Sequence, residues 1–181
     1  MLKLCKPFPT VGTVWDHCGK SEISQIFVST SARSRIDFIQ FAYVDQDGTP
    51  VLSERIGGGS GSSNLQTITF DYPTEHITRL EGCYLDDVES KNLCSIIFHT
   101  NKQTYGPYGL GRVISFDDVD LFDIEELTEM QLQNEFNYEV GGEFWGFFGT
   151  YKSDCVESIG LYMKPLPLPN QARFSRSVQP C

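Results

Sequence analysis

The side chains in this 181-residue sequence that could do chemistry are scattered rather than clustered. Three histidines, His17, His76 and His99, lie far apart, and no Gly-x-Ser-x-Gly, His-Glu-x-x-His or comparable constellation links any of them to a nucleophile or a metal. Asp86-Asp87 is the one adjacent carboxylate pair that falls in a hairpin loop, where a solvated turn explains it better than general acid–base work. The glycine run Gly57–Ser63, GGGSGSS, invites a phosphate-cradle reading. That motif needs a lysine after the last glycine or a helix opening on it; here neither is present, Asn64 stands where the last glycine belongs, and a strand pattern follows. Two readings stay open for the run: a flexible strand connection, or a ligand-facing loop whose missing side chains let backbone N–H groups approach a small polar molecule. The expectation is a protein that is not an enzyme and holds neither metal nor cofactor.

Residues 117–139 carry nine carboxylates and no Lys or Arg. Asp118 and Asp120 begin like a calcium loop, but the glycine required at its sixth place is missing. The stretch is expected to be a solvated acidic insertion, with a short amphipathic helix over Ile124–Gln133 and a partner-docking surface as the alternative. The six cysteines, Cys5, Cys18, Cys83, Cys94, Cys155 and Cys181, form no Cys-x-x-Cys pair. Cys83 and Cys94 fall on strands and are expected to be free thiols in the core. With no apolar leader before Pro7 and Pro9 and no Asn-x-Ser/Thr sequon, these thiols point to a reducing, cytoplasmic setting. The formal net charge of −10 disfavours nucleic acid, and no apolar run is long enough to span a membrane.

The elements that must position these groups are more legible. Phe144–Tyr151 and Val156–Met163 are rich in aromatic and β-branched residues and flank the polar loop Lys152–Cys155, which is a hairpin pattern. The same phrase occurs earlier. Ile77, Leu80, Gly82 and Tyr84 are spaced as Phe144, Phe147, Gly149 and Tyr151 are, and Leu93, Ser95, Ile96 and Phe98 match Val156, Ser158, Ile159 and Leu161. A fainter copy spans Ile23–Tyr43, with Ile26, Ile36, Ile39 and Phe41 in the apolar places. Three hairpins of one type predict a threefold-repeated all-β domain. Further strands are expected over Val51–Arg55, Leu65–Tyr72 and Val113–Phe116. Residues 1–11 read as an irregular lead-in, 12–165 as the domain, and 166–181 as a Pro-rich, polar tail expected to be extended or disordered.

Together these residues resemble the jacalin-related lectins of plants. The resemblance rests on Trp15-Asp16, Ile23–Val28, the Gly57–Gly61 loop, Ile77–Gly82, Tyr105–Gly109 (Tyr-Gly-Pro-Tyr-Gly) and Gly146–Gly160, in the family's order over roughly residues 12–165. It implies a β-prism of three four-stranded antiparallel Greek-key sheets with pseudo-threefold symmetry. It also implies metal-independent binding of a glycan, mannose/glucose-like, at one end of the prism, and members that associate with one another. The implied site joins a glycine loop near the N-terminus to a Gly-x-x-x-Asp loop in the last hairpin, which places carbohydrate contacts at Gly12, Ser153, Asp154, Cys155 and Glu157. This chain departs from the pattern: Ser153 replaces the glycine, Glu157 replaces the acceptor Asp, and Pro9 removes a backbone donor from the first loop. In a second alignment Asp154 takes the acceptor role. The alternative function is a jacalin-fold interaction protein that binds a protein partner instead of sugar, in plant antiviral or stress defence.

Overall fold

A computed structural model describes residues 1–31, 35–59, 64–86, 91–109 and 134–166. The strand expected over Val113–Phe116, the helix expected over Ile124–Gln133 and the tail beyond residue 166 lie outside the described residues.

The chain is all-β among those residues, and three antiparallel hairpins organise it. They are β3 (Ile23–Ser31) with β4 (Arg35–Val44), β8 (Ile77–Asp86) with β9 (Lys91–Thr100), and β12 (Gly142–Tyr151) with β13 (Val156–Pro165). Each hairpin sits at the centre of one sheet. Around the last, β1 (Leu2–Leu4) and β2 (Thr13–Asp16) give the order β1-β13-β12-β2. Around the second, β10 (Thr104–Gly109) and β11 (Glu135–Glu139) give β10-β9-β8-β11. Around the first, β5 (Pro50–Leu52) and β7 (Asn64–Thr69) give β5-β4-β3-β7, with the two-residue β6 (Ile56–Gly57) also on β4. β5 pairs Ala42–Val44 and β6 pairs Phe38–Ile39, so the two lie along one edge of β4 as a broken strand.

The repeat read in the sequence is a repeat in register. The pairing of each hairpin shifts once near its start, at Ile23/Gln25, Ile77/Arg79 and Phe144/Phe147, and once near its apex, at Ser29/Thr30, Cys83/Tyr84 and Thr150/Tyr151. Such bulges turn the strand and re-aim its side chains. The repeated glycines are steric. A Cβ on Gly82 would lie 2.2 Å from the Ser95 carbonyl oxygen, and one on Gly149 would lie 2.1 Å from that of Ser158. Between the sheets, Ile26, Leu80 and Phe147 from the three equivalent positions are fully buried with Ile36, Ile39, Phe41, Phe98 and Leu161. Phe147 stacks on Phe41 at 5.1 Å and meets Phe98 edge-on at 6.2 Å, so one ring joins all three sheets.

Three expectations are corrected. The lead-in is not wholly irregular, because Leu2–Leu4 pairs with Leu161–Met163 as an edge strand. The acidic stretch does not run as an insertion to residue 139: Glu135–Glu139 is β11, paired with Arg79–Cys83, and it buries Phe136 while its carboxylates alternate outward. Cys83 and Cys94 are not free thiols. The register of β8 and β9 sets Cys83 opposite Ser95, brings the two α-carbons to 5.8 Å, and the sulfurs are bonded. Free thiols at these two positions therefore no longer argue for a reducing compartment.

Candidate functional site

At one end of the prism the apex of the last hairpin meets the approach to β2 and the glycine run. Lys152 N–H donates to the Cys155 carbonyl at 2.9 Å and closes the apex as a tight turn. β2 lies against β12 with Thr13 opposite Tyr151, which lays Val11 and Gly12 over the start of β13. There the Glu157 side chain turns back under them. Its Oε1 accepts the Val11 N–H and its Oε2 the Gly12 N–H, each at 2.9 Å, and the residue is fully buried. Gly12 admits no side chain: a Cβ would lie 2.4 Å from the Tyr151 carbonyl oxygen and 2.7 Å from Glu157 Oε2.

The remaining apex residues are held separately. Asp154 Oδ2 accepts from Arg35 Nη2 at 2.7 Å across the gap between two hairpins. Arg35 Nε lies 3.9 Å from Asp37 Oδ1 on the same strand. Ser153 is exposed, and its carbonyl meets backbone: a Cβ on Gly58 would fall 1.8 Å from that oxygen. Gly57 and Gly59 have φ of +103° and +114°, the left-handed region where a side chain strains, and Gly58 N–H donates to the Asp37 carbonyl at 3.0 Å. Of the two readings of the glycine run, the described part therefore supports backbone approach, but toward the hairpin and β4. Cys155 is buried with Sγ 3.4 Å from Asn92 Oδ1; burial, then the charge of Asp154, pushes its thiol up to about 11, which keeps it protonated and unreactive at neutral pH.

The structure thus brings Gly12, Ser153, Asp154, Cys155 and Glu157 to one end of the molecule, with Gly12 and Glu157 in direct contact. Arg35 and Val11 belong to the same assembly and were not singled out in the sequence. Arg35 is 119 residues from its partner, and Val11 contributes only its backbone, so neither has a local signature.

The histidines do other work. His17 is buried, with Nδ1 2.8 Å from the Tyr43 hydroxyl and Nε2 3.0 Å from Glu54 Oε1; burial lowers its pKa against the pull of Glu54. His99 sits on the outer face of the second sheet between Glu81 Oε2 at 3.0 Å and Thr104 Oγ1 at 2.9 Å. No group of three His, Cys, Asp or Glu side chains among the described residues is arranged to hold a metal ion.

This architecture and site define a jacalin-like lectin domain: that family matches residues 9–162, and the chain belongs to it. It is a family of carbohydrate-binding, non-enzymatic proteins, in agreement with the absence of a catalytic constellation in the sequence. Among curated relatives, the chain is similar to the protein RESTRICTED TEV MOVEMENT 1 of Arabidopsis thaliana, 34% identical over 146 residues covering 79% of this chain and 72% of that protein. Jacalin-related lectin 2 of Arabidopsis thaliana is 31% identical over 156 residues, 83% of this chain and 77% of the relative. Among solved structures, a mannose binding jacalin related lectin from Ananas comosus superposes with a TM-score of 0.66 at 25% identity, over 91% of this chain and 98% of that one.

Proposed function

We propose that this chain is a jacalin-fold recognition protein that works through a protein partner, its hairpin sugar site being closed by its own Glu157. The observation that carries this reading is the pair of hydrogen bonds from Val11 and Gly12 N–H to the two oxygens of a fully buried carboxylate. A sugar seated here as the family resemblance implies needs acceptor oxygens open to its hydroxyls and amide N–H groups open to its oxygens. In this chain the amides donate to the carboxylate itself. Magnitudes favour the closed state. Hydrogen bonds to a charged group contribute about 1.5–3 kcal/mol each, so about 3–6 kcal/mol holds the closure. A monosaccharide with a millimolar Kd gains only about 4 kcal/mol in all. Asp154, the other acceptor considered, is engaged by Arg35. The likeness to a relative named RESTRICTED TEV MOVEMENT 1 supports placing this role in plant antiviral defence.

A mannose-type lectin is the second reading. The Gly12 amide at the hairpin end and the likeness to a mannose binding lectin favour it, and it requires Glu157 to leave Gly12 as sugar enters. Titration calorimetry separates the two. With methyl α-mannoside to millimolar concentration, the unaltered chain is expected to give no saturable heat. Glu157→Asp, shorter by one methylene and unable to span to both amides, is expected to give a saturable isotherm. Saturable heat from the unaltered chain would overturn the proposal.

A further inference from the structure

The other end of the prism carries a cleft of about 350 Å³ that no part of the hairpin site uses. It opens where β3 and β12 begin and where the chain leaves β13, beside the turn that joins β7 to β8. Ile23 and Phe144, both buried, form its floor, and Tyr72 and Leu166 form its walls, 39% and 68% exposed. The rest of the lining, Glu22, Glu75, His76 and Glu143 among it, is polar, so the cleft pairs an apolar floor and an exposed aromatic wall with charge, a place for a segment that carries both kinds of side chain.

The charge on the same cleft says what kind of segment that is. Glu22 and Glu143 line it and are exposed, and no Lys or Arg among the described residues lines it. Glu75 lies beneath, buried, accepting from Asp71 N–H at 2.8 Å, from the Thr100 hydroxyl at 2.7 Å and from the Tyr105 hydroxyl at 2.9 Å. Burial opposes its charge, but these donors and the charge of Lys102 hold its carboxyl below the usual range, so the floor carries a standing negative charge. Three lysines of the described residues are engaged elsewhere. Lys102 pairs with Asp71 and Thr74, Lys164 lies over the Trp145 ring, and Lys20 lies over Tyr43. The chain as a whole has a formal charge of −10, which draws positive segments toward it from a distance.

We propose that this cleft docks a basic, extended segment of a partner protein, with an arginine or lysine directed to Glu22 and Glu143 and an apolar neighbour laid between Tyr72 and Leu166. Cation–π attraction to Tyr72 and the apolar walls give the contact its place, and the carboxylates give it its sign. The site is remote from Glu157, so the assignment stands whether or not the hairpin end takes sugar.

The test is fluorescence anisotropy of a labelled octapeptide with two arginines flanking a phenylalanine, titrated with the full chain, and of a control peptide with glutamate in place of arginine. The arginine peptide is expected to bind saturably and the control not at all. The double variant Glu22→Gln/Glu143→Gln, both exposed and so harmless to folding, is expected to weaken binding tenfold or more. Tyr72→Ala is expected to weaken it several-fold, and raising salt from about 50 to 300 mM to weaken it strongly. Absence of saturable binding, equal binding of the control, or binding unmoved by the double variant would overturn the proposal. So would tighter binding to an Arg173→Ala/Arg176→Ala chain, which would give the cleft to the protein's own C-terminal residues.

Discussion

Glu157 shows how far one methylene reaches. A carboxylate at this position faces two backbone N–H groups that strand pairing has already fixed in place, and the glutamate is long enough to take both. Removing it leaves two part-buried donors unanswered. Glu157→Ala is expected to lower stability by about 3–5 kcal/mol, and Glu157→Gln, which keeps one acceptor, by about 1–2 kcal/mol; urea midpoints at constant slope measure both, and equal midpoints for the two variants would show that the carboxylate does not hold the loop. The glycine run makes a parallel claim. Gly58→Ala must separate two backbones and is expected to cost about 1–3 kcal/mol, while Gly141→Ala, with open space around it, is expected to stay within about 0.5 kcal/mol of the parent. The residues of this site were legible in the sequence, but their state was not. That Ser153, Asp154, Cys155 and Glu157 share a hairpin is local information; that Asp154 meets Arg35 and Glu157 meets Val11 depends on pairings more than a hundred residues apart.

Elements were read in proportion to their repetition. The hairpins announced themselves because all three carry the same apolar spacing, and the second and third also share a glycine, Gly82 and Gly149, and a serine, Ser95 and Ser158. Edge strands have no such copy. Leu2–Leu4 is too short to show a period, and Glu135–Glu139 alternates correctly but was masked by the carboxylates that precede it. What bolts the hairpins together is equally non-local. The Tyr84 hydroxyl donates to the Ile159 carbonyl at 3.0 Å and accepts the Ile159 N–H at 3.3 Å, so one side chain of the second sheet bonds both backbone groups of a residue on a strand of another. Tyr84→Phe is expected to cost about 1–3 kcal/mol by leaving both groups buried without it. Hydrogen exchange at the Ile159 amide is expected to quicken more than at Leu161; uniform quickening would mean the loss is global and the bolt is not local.

For the molecule as a whole, acidity acts through a few hydrogen-bonded groups. Asp16 and Glu75 are held below their ordinary carboxyl values of 3.8 and 4.5: burial opposes the charge, and hydrogen bonds outweigh it. Burial holds His17 below its ordinary 6.5. All three shifts have the same sign. Each group binds its proton more readily in the unfolded chain, so its stabilisation is full above the unfolded value, begins to fall there and is lost as pH falls on through the lower folded value. The thermal midpoint is therefore expected to begin falling near pH 6.5, through His17, and to fall more steeply below pH 4.5. His17→Gln should remove the first slope and leave the second; an unchanged profile would show that His17 does not titrate with unfolding.

The strand order β1-β13-β12-β2 has a bearing on synthesis. Two of its strands lie before residue 17 and the other two are the hairpin strands Gly142–Tyr151 and Val156–Pro165. As the chain leaves the ribosome, the first and second hairpins can close on themselves, but β1 and β2 have nothing to pair with until nearly everything else has emerged. Their open edges wait while the rest of the domain is made, a period in which unpaired strands are prone to find the wrong partner. Insertion of the β12–β13 hairpin between those two earlier strands completes the sheet, and it is that pairing which brings Glu157 under Gly12.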